Sequence, residues 1–63
     1  MYKVLYTKLF AGQRLVHVMD FNNSQIIEFT MDELEKDELT KELKMYIEEI
    51  KEQIDSGYFD YDL

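Results

Sequence analysis

The sequence predicts an α+β fold, a three-stranded antiparallel β-meander followed by one long amphipathic helix packed on one sheet face. Three observations carry this reading. Between Glu38 and Ser56, Leu39, Leu43, Tyr46, Ile47, Ile50 and Ile54 recur at three- and four-residue steps, the spacing that gathers side chains on one face of a helix. Upstream lie three short runs rich in aromatic and β-branched residues, separated by turn formers. Finally, 63 residues make one small domain, 1–63, and the absence of cysteine leaves its core to hold it together without disulfides.

In chain order, residues 2–10 (YKVLYTKLF) form the first strand and end at a turn over residues 11–13 (Ala-Gly-Gln). Residues 14–21 (RLVHVMDF) form the second, closed by a two-residue turn at Asn22-Asn23, since asparagine tolerates positive φ. Residues 25–30 (QIIEFT) form the third. This register sets Asp20 opposite Gln25, Val18 opposite Ile27 and Val16 opposite Phe29, and it pairs His17 with Glu28 on the reverse face. Val16, Val18, Ile27 and Phe29, joined by Tyr2, Val4 and Tyr6, become the face the helix covers. Leu5, Leu9, Leu15, Met19, Phe21 and Ile26 point away from it. One helix cannot cover both faces, and monomers seldom leave so large an apolar patch in water. The tail folding across it, a second copy or a partner would each cover it, which makes Leu5, Leu15, Met19, Phe21 and Ile26 a candidate dimer face.

Thr30-Met31-Asp32-Glu33 matches the capping-box pattern. Leu34 falls nearly opposite the helical stripe at a hundred degrees per residue. A short helical turn over 31–36, a break, and a main helix from about residue 38 accommodate it; one continuous helix is the alternative. Gly57 then stands where a left-handed cap residue is favoured.

The charge is unevenly distributed. Residues 1–31 carry a net +1 and residues 32–63 a net −8, which together make the −7 of the chain. The acidic half argues against direct nucleic-acid binding, because phosphate contacts require Lys and Arg. On the helix Glu38, Glu42, Glu49 and Glu52 form one row, with Met45 in the remaining position. Such a row is either a solvated surface that keeps a small protein soluble or a ladder of carboxylates offered to a basic partner. In the tail, aromatics alternate with acids at Tyr58, Phe59, Asp60, Tyr61 and Asp62. Residues 58–63 therefore either fold back on the sheet or dock on a partner through aromatic anchors.

Signals for chemistry are sparse. His17 is the sole histidine and sits mid-strand, two glycines do not make a phosphate-cradling loop, and acids on a solvated helix lack the burial that tunes acid–base groups. The expectation is a non-enzyme with no catalytic residues, cofactor or metal site. No signal peptide or membrane-length apolar run is visible, so a cytoplasmic location in a bacterial or phage-infected cell is expected. In size, charge and order of elements the chain is similar, in general outline, to small phage-encoded inhibitors such as anti-CRISPR proteins and DNA mimics, a likeness of class that no motif carries. It implies an inhibitor that occupies the basic, nucleic-acid-binding surface of a partner protein. The alternative is a structural or regulatory accessory protein, a homodimer or assembly subunit, whose acidic surface serves solubility alone.

Overall fold

The computed structural model describes residues 1–35 and 39–61. Strands β1 (Tyr2–Phe10), β2 (Gln13–Asp20) and β3 (Gln25–Thr30) form an antiparallel sheet in the order β1-β2-β3. A 3-10 turn (Met31–Glu35) leads toward two helical segments, α1 (Lys41–Glu49) and α2 (Lys51–Asp55). The expected meander followed by helix is therefore the architecture. Its core joins one sheet face to the helices: Val4, Val16, Val18, Phe29, Leu34, Leu43, Ile47 and Ile54 are buried, and Tyr2, Ile27, Leu39, Tyr46, Ile50 and Phe59 pack around them. All six residues of the helical stripe thus belong to the core.

The second hairpin has the expected register, with Val16↔Phe29, His17↔Glu28, Val18↔Ile27 and Asp20↔Gln25. Its turn works differently. Neither asparagine takes a positive φ; the left-handed residue is Ser24, at φ 50°, which closes a four-residue loop. The buried Asp20 carboxylate organises this loop by accepting the backbone N–H of Asn22 at 3.0 Å and the Asn23 side-chain amide at 2.8 Å. These bonds, led by the Asn23 side chain, hold the Asp20 carboxyl below its ordinary value of 3.8.

The first hairpin departs from expectation. Phe10 pairs with Gln13, so the turn is the two residues Ala11-Gly12, both in the left-handed region at φ 53° and 78°. Two positive φ values in a two-residue loop define a type I′ turn, whose twist matches that of its strands. The first turn position favours asparagine, because an ordinary side chain in this region costs roughly 1–2 kcal/mol. Ala11→Asn should accordingly stabilise the domain by about 0.5–1 kcal/mol in urea unfolding.

The register then shifts between Val4 and Tyr6, a β-bulge at Leu5. An extra residue on one strand inverts which face the following side chains occupy. Tyr2 and Val4 join the core face as expected, but Tyr6 does not: it crosses to the reverse face and Thr7 is buried in its place. Leu9, expected on the reverse face, instead pairs with Arg14, in phase with Thr7 and Val16.

The helix is also corrected. It is two segments rather than one, and α1 begins at Lys41 rather than near residue 38. Thr40 is its N-cap, and the Thr40 Oγ1 accepts the Leu43 N–H at 3.2 Å. At Ile50, with φ −110° and ψ 13°, the ladder tightens and the N–H donates three residues back to Ile47 O at 3.1 Å. No Gly or Pro marks this break. Tertiary anchoring on both sides of it holds the geometry, since Leu43 and Ile47 upstream and Ile54 downstream are all fully buried. The chain then closes as expected at Gly57, φ 86°. Tyr58 N–H donates to Gln53 O and Gly57 N–H to Ile54 O, the paired bonds of a Schellman motif. Leu34 reaches the core from the 3-10 turn, which resolves its phase against the stripe. Of the capping box at that turn, the Glu33 half is formed: its carboxylate accepts the Thr30 N–H at 3.3 Å.

Candidate interaction surfaces

Three surfaces singled out in the sequence can be located. On the helical layer, Glu42, Glu49 and Glu52 are exposed, and Met45 among them is 59% exposed. Among the described residues the salt bridges are Arg14–Asp60 and His17–Glu28, and neither engages this row. Glu48 and Asp55 add further exposed carboxylates on the same two segments. The break at Ile50 divides the row, with Glu42 and Glu49 on α1 and Glu52 on α2. Glu38 lies outside the described residues.

The tail is tied into the fold. Thr7 N–H donates to Phe59 O at 2.8 Å and Tyr61 N–H to Thr7 O at 2.7 Å, a parallel bridge along the outer edge of β1. The Asp60 carboxylate accepts two bonds from the Arg14 guanidinium, Nε at 2.9 Å and Nη2 at 2.8 Å, and a third from the Thr7 hydroxyl at 2.5 Å. Arg14 also reaches the Asp55 carbonyl at 3.1 Å, so one side chain ties the end of α2 and the tail to β2. The forked guanidinium matches a carboxylate in two parallel bonds. The Arg14 bonds, followed by that of Thr7, hold the Asp60 carboxyl at about 2, below its ordinary 3.8. Of the tail residues proposed for docking, Phe59 packs on the core and Asp60 is committed to Arg14. Tyr58 is 71% exposed and meets Phe59 edge-on at 4.9 Å between ring centres. Tyr61 leans on Tyr6 at 5.5 Å, and Asp62 lies outside the described residues.

The reverse sheet face bears an aromatic and polar line across its strands. Tyr61 contacts Tyr6, Tyr6 stacks on His17 with ring centres 4.2 Å apart, and His17 Nε2 lies 3.3 Å from Glu28 Oε2. His17 Nδ1 is buried with no hydrogen-bond partner among the described residues, so stacking and the Glu28 contact hold the ring. Around this line Leu5 is 43% and Ile26 59% exposed, Phe21 is exposed on the loop, and Leu15 and Met19 are half-buried. The described part of the tail, residues 58–61, does not cross this face. It runs along the β1 edge and, among the described residues, brings Tyr61 onto this face against Tyr6.

What the sequence reading missed is Arg14 and Thr7. A strand arginine with no carboxylate opposite it in the hairpin was the available signal for a distant partner. Among the described residues no helix is long and apolar enough to cross a membrane. No protein-family model matches the chain, and comparison with curated proteins and with solved structures likewise gives no match.

Proposed function

We propose that this chain is a non-catalytic protein-interaction module that docks its acidic helical layer on the basic, nucleic-acid-binding surface of a partner protein and inhibits it by occupancy. One observation carries the reading: Glu42, Glu49 and Glu52 are exposed around an exposed Met45, with no salt bridge to any of them among the described residues. Carboxylates at helical spacing meet the same lysine and arginine side chains that hold phosphates, and Arg pairs with both in forked geometry. Met45 adds an adaptable apolar contact at the centre. Steering by a net charge of −7 favours fast capture of a basic partner and weakens with salt. The cytoplasm of a bacterial or phage-infected cell is the compartment that fits such a target.

The test is a tagged pull-down from nuclease-treated bacterial lysate, with wild type beside a Glu42→Lys/Glu49→Lys double variant. Both sites are exposed, so circular dichroism and thermal melting should be unchanged in the variant. The expected result is stoichiometric recovery of a nucleic-acid-handling protein that is weakened by salt and lost from the variant. Retained binding by the variant would remove the acidic-helix mechanism. A second reading, an accessory subunit that docks through the reverse sheet face, draws on the exposed Leu5, Phe21 and Ile26. A Met19→Lys variant that loses a partner while the charge-reversed one keeps it would favour that reading.

A further inference from the structure

The two edges of the sheet are treated unequally. Along β1, the Val4 N–H donates to the Tyr46 hydroxyl at 3.1 Å, and both outward groups of Thr7 bond the tail. That edge is covered at Val4 and Thr7. Along β3, strand residues in an antiparallel pair alternate between exchanging bonds with the neighbour and directing N–H and C=O outward. Val4 and Thr7 face outward on β1, so their β2 partners Val18 and Val16 turn their groups to β3 and exchange bonds with Ile27 and Phe29. Ile26 and Glu28 consequently direct their backbone groups away from the sheet. Among the described residues nothing bonds them, whereas the outward Thr30 N–H is taken by Glu33. β3 carries no lysine, proline or bulge, and of the usual guards of an open edge it has the single charge of Glu28.

We propose that β3 pairs antiparallel with β3 of a second copy of this chain, with Ile27 facing itself across the two-fold axis. A two-fold perpendicular to the sheet keeps like faces together, so only registers that oppose residues of the same face are allowed. Placing Ile27 on the axis sets Ile26 opposite Glu28 of the second copy, twice. The two outward residues of each strand then exchange four hydrogen bonds. Moving the axis to Glu28 would oppose two like charges, which destabilises a sheet. Moving it to Ile26 would carry Glu28 past the strand end onto Ser24, whose φ of 50° breaks the ladder.

The occupant is a second copy because the electrostatics of this edge suit one. Glu28 is the only charge on β3, and His17 faces it. The acids that follow, Asp32 and Glu33, would lie toward the uncharged Asn22-Asn23-Ser24 turn of the second copy. The α1 carboxylates Glu42, Glu48 and Glu49 sit on a helix tied to the opposite edge, through Tyr46 on Val4 and Thr40 on Tyr2 at 3.0 Å, so these acids of the two copies lie apart.

Sedimentation measures the mass over a concentration series, with the expected limit at twice the 7.7 kDa of the chain. Ile26→Pro removes an N–H that the monomer fold does not use, and an edge strand tolerates it there. It should raise the dissociation midpoint at least tenfold while circular dichroism is unchanged, and Ile26→Ala, which keeps the N–H, should shift it less. Ile27→Cys provides a second reading in a chain without cysteine. Opposed residues at a non-exchanging pair lie within disulfide reach, and those offset by two do not. Ile27→Cys should therefore oxidise to a covalent dimer much faster than Ile26→Cys. A wild type that stays monomeric throughout the series would overturn the proposal, and so would a dimer abolished by Leu5→Lys but indifferent to Ile26→Pro.

Discussion

Phe29→Ala should lower unfolding stability by about 3–5 kcal/mol, the range for removing a buried phenylalanine ring. Phe29 is 1% exposed, lies opposite Val16 in the sheet, and belongs to the cluster with Leu43, Ile47 and Ile54 of the helical layer. A 63-residue chain typically has about 3–9 kcal/mol in total, so this single substitution should leave much of the population unfolded at room temperature. Urea titration followed by circular dichroism measures it. Phe29→Leu, which retains most of the volume, should cost less than about 1.5 kcal/mol. Equal losses from the two variants would mean that the site is less tightly packed than its burial implies.

Asp60→Asn should produce the second large loss, through a different cause. The substitution removes the charge that pairs with Arg14 and one acceptor of the forked bond, and it weakens the hold on the buried Thr7 hydroxyl. With them goes the anchor of the tail, including the seat of Phe59. The pair is partly solvated, so the loss should be smaller than for the core ring. Its signature is pH dependence. The folded Asp60 carboxyl is held at about 2, against an ordinary 3.8. A depressed carboxyl contributes stability that is complete above the ordinary value and is lost as pH falls toward the folded one. The urea midpoint of the wild type should therefore drop between about pH 4 and pH 2. Asp60→Asn should start lower and fall less steeply over the same window. Asp20, depressed by its loop amides, should account for part of the slope that remains, and Asp20→Asn/Asp60→Asn should flatten it further. An unchanged slope in the double variant would refute this account.

The acidic row and the tail were both visible as composition, but composition does not distinguish a free carboxylate from a committed one. Glu42, Glu49 and Asp60 look alike in the sequence. Only the fold brings Arg14 within 2.8 Å of Asp60 and leaves Glu42 and Glu49 exposed. The reverse face was legible as an unpaired apolar set. Its aromatic line through Tyr6 and His17 was not, because it depends on the bulge at Leu5.

Local and near-range patterns determined the element order, the β2–β3 register, the helix face and the Gly57 cap. Each rests on residues of one helix or one hairpin. The periodicity of apolar residues and the placing of turn formers therefore specify it even where, as at Ser24, the turn itself closes differently. The tertiary structure decided the bulge at Leu5, the break at Ile50 and the seat of the tail on β1. Those depend on contacts between residues far apart in the chain, such as Val4 with Tyr46 and Thr7 and Arg14 with Asp60. No local period encodes such contacts, and the geometry that satisfies them overrides what each segment would adopt alone.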